Sequence, residues 1–219
     1  MGEKRQARQG ADVLLQEEPL RFQTRKQVGL LGGNFNPVHL AHLVMADQVQ
    51  NQLGLDKVYL MPTYLPPHVD EKKTISSEHR LAMLELAVAD NPYLDIEPIE
   101  LIRKGKSYTY DTMKALKEAN PDTDYYFIIG GDMVEYLPKW HRIDDLLHLV
   151  QFVGIRRPNY PTESTYPIIW VDVPQMAISS TLIRQKVKSG CSTRYLLPEN
   201  VINYIQEKGL YQDELDNKL

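Results

Sequence analysis

From Gln27 onward, short apolar runs alternate with amphipathic stretches. Val28-Gly29-Leu30-Leu31, ending in Gly32-Gly33, has the length and content of a buried strand. Residues 39–53 place Leu40, Leu43, Val44 and Val49 largely on one helical face. Val58-Tyr59-Leu60-Met61 predicts a second strand closed by Pro62. A proline-rich loop over 62–75 then leads to a helix at about 77–90, with Ser76 or Ser77 as its N-cap. Residues 94–102 read as extended and 109–119 as helix. Tyr125-Tyr126-Phe127-Ile128-Ile129 is the clearest buried strand, and Gly130-Gly131-Asp132 closes it. Strands over 150–155 and 168–172 and helices over about 180–188 and 199–207 follow, with Gly209 as the C-terminal stop. Strands separated by helices predict an α/β protein: a doubly wound, mainly parallel sheet with helices on both faces.

Composition changes this picture at the two ends. Residues 1–26 are rich in Gln and charge, with six basic and four acidic residues, and read as a flexible N-terminal extension. The domain is expected over 27–212, followed by an acidic tail over 213–219. The whole chain of 219 residues carries a net charge of −4; without the extension the remainder stands at −6. That balance argues against nucleic acid as a partner. Cys191 is the sole cysteine, which excludes an internal disulfide and a multi-cysteine zinc site. No apolar run reaches the roughly 18 residues of a membrane span, and no secretory h-region stands at the N-terminus. A cytoplasmic protein without membrane partners is the expectation, and the oligomeric state, including a homo-oligomer, is left open.

Chemistry is expected at the carboxyl ends of the strands of such a sheet. The first end reads Gly32-Gly33-Asn34-Phe35-Asn36-Pro37-Val38-His39-Leu40-Ala41-His42. It is neither G-x-G-x-x-G nor a Walker loop. Two glycines still allow a phosphate close to the backbone, and the following helix offers N–H groups and a positive dipole end. His39 and His42, three residues apart, project from one face of its first turn. No third ligand with zinc spacing accompanies them. Near the other end of the chain, Ser180 and Thr181 start a helix, so their hydroxyls and amides can meet phosphate, and Arg184 lies one turn on.

The first of these motifs resembles the signature of the nucleotidyltransferase superfamily with the H/T-x-G-H motif, matched here by His39-Leu40-Ala41-His42. Ile178-Ser179-Ser180-Thr181-Leu182-Ile183-Arg184 resembles its I-S-x-T-x-x-R motif. A Rossmann-like nucleotidyltransferase fold is what the resemblance implies. Asn36 stands where that family commonly has Asp, and Ala41 where it has Gly. Asn36 therefore keeps a turn or capping role but no charge.

Further stretches narrow the substrate. Ser107-Tyr108-Thr109-Tyr110-Asp111-Thr112 precedes a predicted helix, Gly130 to Met133 closes the central strand, and Pro138-Lys139-Trp140-His141 presents an exposed-looking indole suited to stacking on a flat ring. Together with Pro66-Pro67-His68, Arg156-Arg157-Pro158 and the ending Ile205 to Tyr211, they resemble bacterial nicotinate-nucleotide adenylyltransferases over Val28 to Tyr211. The resemblance implies transfer of AMP from ATP to nicotinate mononucleotide by direct in-line attack in NAD biosynthesis, releasing pyrophosphate. It implies His42 at the α-phosphate with His39 assisting, and Arg184, Ser180 and Thr181 on the leaving pyrophosphate. ATP would further meet Gly32, Gly33, Asn34, Phe35, Asp132, Arg157 and Ile178. Trp140 would stack on the pyridine ring, while Thr109 and the amides of Tyr110 and His141 hold its carboxylate. The family usually has Tyr where His141 stands. Mg²⁺ is implied as the ATP counterion, with no protein metal ligand assigned. The alternatives are another member of the superfamily, acting on the amide mononucleotide or phosphopantetheine, and a non-catalytic nucleotide-binding protein.

Overall fold

The computed structural model describes residues 25–65, 74–156 and 163–212. The apolar runs become six parallel strands: β1 (Lys26–Gly33), β2 (Lys57–Pro62), β3 (Leu94–Ile96), β4 (Thr123–Gly130), β5 (Val150–Ile155) and β6 (Ile168–Val171). Their order is β3-β2-β1-β4-β5-β6. The order reverses between β1 and β4, so the carboxyl ends of these two neighbours form the switch point. Gly32-Gly33 and Gly130-Gly131 therefore meet at one edge of the sheet although about 100 residues separate them.

Alternation along the strands divides the core in two, because successive side chains face opposite sides of the sheet. On β4, Phe127 and Ile129 face one layer and Ile128 the other. The Ile128 layer is closed by α1 (Leu40–Leu53), α2 (Ser77–Val88), α7 (Ser180–Lys188) and α8 (Glu199–Glu207). The Phe127 layer is closed by α4 (Thr109–Ala119), α5 (Gly131–Val134) and α6 (Ile143–Leu146). Gly29 permits this packing: a Cβ there would lie 2.6 Å from a Val58 methyl. Gly154 is similarly enclosed, with Trp170 ring carbon 2.7 Å from such a Cβ.

Ser76 caps α2 by accepting the His79 N–H, and Gly209 adopts φ +63° beyond α8, both as expected. The stretch 94–102 is corrected: only Leu94–Ile96 is strand, and α3 (Ile99–Arg103) starts right after Pro98. A proline before a helix start restrains the turn, whereas Ile99, Leu101 and Ile102 alone mimic an extended apolar run. The chain also enters the sheet at Lys26, one residue inside the predicted extension. Arg25 reaches Asp124 at 2.8 Å and the Pro121 carbonyl at 2.7 Å. Among the described residues no helix is long and apolar enough to cross a membrane.

Candidate active site

At the switch point, the turn after β1 leads into α1 through Phe35, which is buried at φ 47°. Two long-range contacts hold this turn. The Arg184 guanidinium donates to the Asn36 carbonyl at 2.8 Å, and the Ser180 hydroxyl donates to the Pro37 carbonyl at 2.8 Å. The two phosphate-type motifs, about 140 residues apart in sequence, are thereby brought onto one piece of backbone. Asn36 is buried, and its side-chain oxygen accepts the Tyr211 hydroxyl at 2.9 Å. An uncharged amide suits that position, since a buried carboxylate would carry a desolvation cost.

The histidines differ from the expected pair on one helical turn. His39 is the N-cap of α1, with extended dihedrals, and is buried. Its ring stacks on His42 with centroids 3.6 Å apart and planes at 19°. Burial lowers the His39 pKa to about 4, so its imidazole is neutral at pH 7. Neutrality suits the stack, because two imidazolium rings at that separation would repel. The His39 backbone N–H donates to His42 Nδ1 at 3.3 Å. An accepting Nδ1 puts the His42 proton on Nε2, which makes that nitrogen a donor. Phe35 supports the His42 ring edge-on at 5.0 Å.

The start of α1 offers less than the sequence suggests, because the Leu40 N–H is taken by the Leu196 carbonyl. The Ser180 hydroxyl is likewise engaged within the protein. Its hydroxyl proton is committed to Pro37, and Ser179 is the residue that caps α7 by accepting the Leu182 N–H. Thr181 accepts from Arg184 at 3.2 Å and keeps its own proton to donate. The amides of Ser180 and Thr181, as the first two of a helix, have no intrahelical acceptor.

A cavity of about 450 Å³ opens beside this turn. Gly32, Gly33, Asn34 and His42 line one part of it, Gly130 and Asp132 another, and Thr109, Trp140 and His141 a third. Trp140 is half-buried rather than exposed, with Phe127 and Phe152 edge-on at 5.8 and 5.9 Å. It therefore belongs to the core and to the cavity wall at once. Its Nε1 is buried and has no hydrogen-bond partner among the described residues. Tyr110 is buried beneath the wall, with the Arg142 guanidinium 4.0 Å over its ring. His141 packs on Tyr108 with ring centroids 4.6 Å apart. Ile178 packs against the core, and Arg184, Ser180 and Thr181 lie outside the cavity lining. Arg157 and Pro66-Pro67-His68 fall outside the described residues. A larger groove, about 710 Å³ between the end of α7 and α8, holds neither histidine nor Arg184.

Two buried charged residues escape a reading by motifs. Glu100 lines the cavity; burial raises its pKa, against hydrogen bonds from Ser107 and Thr112. Arg80 is 2% exposed and donates from one nitrogen to the carbonyls of Asn34 and Thr63. The signal for Arg80 was available: it falls on the same helical stripe as Met83, Leu84 and Ala87, where a charge has no place without a partner.

Residues 30–186 match the cytidylyltransferase-like family. The probable nicotinate-nucleotide adenylyltransferase of Streptococcus mutans is 62% identical over 196 residues, covering 90% of this chain and 93% of the relative. The chain belongs to the nicotinate-nucleotide adenylyltransferase family. The Streptococcus pneumoniae relative of the same description is also 62% identical, over 89% of this chain and 93% of its own. The fold is shared with the Plasmodium falciparum nicotinic acid mononucleotide adenylyltransferase complexed with NaAD. That structure has a TM-score of 0.72 at 19% identity, over 87% of this chain and all of the other. As a member of the nicotinate-nucleotide adenylyltransferase family, the chain is a nucleotidyltransferase.

Proposed function

We propose that this enzyme transfers AMP from ATP to nicotinate mononucleotide, yielding nicotinate adenine dinucleotide and pyrophosphate, with the cavity at the switch point holding both substrates. The observation that carries the reading is the continuity of that cavity: His42 and the Gly32–Asn34 turn share it with Thr109, Trp140 and His141. A nucleotide phosphate at the turn and a pyridine ring at the indole would lie in one space.

The mononucleotide phosphate is already an oxyanion, so attack on the α-phosphorus requires no general base and positioning supplies most of the catalysis. His42, with its proton held on Nε2, donates to the α-phosphate as negative charge builds there. His39 acts as a neutral ring that sets the His42 orientation. Thr181, the α7 amides and Arg184 hold the leaving pyrophosphate, while Ser180 fixes the turn through Pro37. Ser180 thus serves twice, its hydroxyl positioning the turn and its amide facing the phosphate. Trp140 stacks on the pyridine ring, and the start of α4 at Thr109 receives its carboxylate. Asp132 binds ribose hydroxyls.

The family's divalent ion fits as cargo of the triphosphate. Mg²⁺ carried by ATP would keep several of its waters and be held chiefly by the phosphates. When bound, it neutralises triphosphate charge. Pyrophosphate release from ATP, assayed with acid mononucleotide, amide mononucleotide and phosphopantetheine in parallel, tests the substrate. Turnover with phosphopantetheine alone would overturn the reading.

A further inference from the structure

Arg80 is a buried charge on α2 set against the cavity wall. It is 98% removed from solvent, and among the described residues its Nε has no hydrogen-bond partner and no carboxylate pairs with it. Its recorded acceptors are two backbone carbonyls, Asn34 at 2.9 Å and Thr63 at 2.8 Å. Those carbonyls stand just beyond the ends of β1 and β2, and both residues line the cavity. A guanidinium stays protonated even where burial pulls its pKa down, as it does here. The fold therefore keeps a buried positive charge, without a carboxylate partner among the described residues, behind the wall of the proposed phosphate site. Burying a charge without a counter-ion is costly; the two carbonyls offset part of that cost, and an anion near it in the working complex would offset more. In a body with net charge −6, this charge acts where bulk attraction is absent.

We propose that Arg80 is a positioning residue and a built-in countercharge for the nucleotide polyphosphate, acting through the Asn34 and Thr63 peptides rather than by contact. The inference rests on the reading of this cavity as the ATP site. The Asn34 carbonyl turned toward Arg80 leaves the Phe35 N–H on the opposite side of that peptide plane. The Thr63 carbonyl is held likewise, and the Tyr64 N–H is donated to Ser107 at 3.1 Å. Arg80 thus fixes both strand-end turns and contributes a potential little screened by salt.

The test measures binding of adenosine, AMP and Mg-ATP to the full chain by calorimetry, for the wild type, Arg80→Gln and Arg80→Lys. Gln keeps a donor for a carbonyl without charge, and Lys keeps the charge with a different donor geometry. In Arg80→Gln, Mg-ATP is expected to weaken on the order of tenfold and AMP by less, while adenosine stays within about twofold. Arg80→Lys is expected to keep the ATP-to-adenosine affinity ratio within about threefold of wild type. Equal losses for adenosine and ATP in the Gln variant would reduce Arg80 to a structural role and overturn the proposal. If Arg80→Gln does not fold, the Lys variant decides alone: a tenfold fall in its ATP-to-adenosine ratio overturns the proposal. Wild-type protein that binds ATP no better than adenosine would instead refute the nucleotide reading itself.

Discussion

Acidification should expose the neutrality of His39. In the unfolded chain its imidazole titrates at the ordinary 6.5, and in the folded protein at about 4. Between those values the unfolded state binds more protons, so stability rises with pH across that window. The contribution is fully present above pH 6.5 and is lost as pH falls toward 4. Linkage with these two values gives a loss of about 2 kcal/mol at pH 5 and about 3 kcal/mol at pH 4. Glu97 and Glu100 work in the opposite sense, because burial raises their pKa and favours the folded form as pH falls. The measurement is therefore a difference. Urea unfolding of wild type and His39→Asn is followed at half-unit steps from pH 7.5 to 4, Asn keeping a side chain that can cap α1. The wild-type curve should fall below its neutral value by about 2 kcal/mol more than the variant's at pH 5. Parallel curves would refute a buried neutral His39, and with it the stacked pair as described.

Other perturbations separate the roles within the cavity. His42→Ala should lower kcat on the order of 10²–10³-fold, the loss of one donor to developing charge, in steady-state assays of pyrophosphate release. Trp140→Ala should raise KM for the mononucleotide about tenfold and leave KM for ATP nearly unchanged. It should also cost about 3 kcal/mol of stability by thermal melting, because the indole packs on Phe127 and Phe152. Tyr211→Phe removes the hydroxyl that the buried Asn36 oxygen accepts, and should destabilise the protein by about 1–3 kcal/mol in urea unfolding.

Local signals in the sequence carried most of the fold. Buried parallel strands such as Tyr125 to Ile129 are continuous apolar runs, and the α4, α7 and α8 boundaries follow from local pattern and punctuation. The 99–103 helix is too short for periodicity to mark, and α6 spans only four residues. At the site, His39, His42 and Arg184 were legible because the motifs are contiguous. Their division of labour was not, since it depends on partners far along the chain. The Ser180 hydroxyl is committed to Pro37, 143 residues away, and Asn36 to Tyr211, 175 residues away. Trp140 looked exposed because its neighbours are polar, yet β4 and β5 bring Phe127 and Phe152 beneath it. Arg80 shows the converse: a charge within an apolar stripe was visible, but its meaning required knowing that the stripe lies behind the β1 turn.

The central claim is that one cavity joins ATP to a pyridine mononucleotide bearing a carboxylate. It is tested most directly by pyrophosphate release from Mg-ATP with nicotinate mononucleotide against its amide. The enzyme should turn over the acid at a kcat/KM well above that for the amide and release the dinucleotide as product. Equal kcat/KM for the two would contradict the assigned carboxylate site at Thr109. Absence of pyrophosphate release with either would contradict the claim itself.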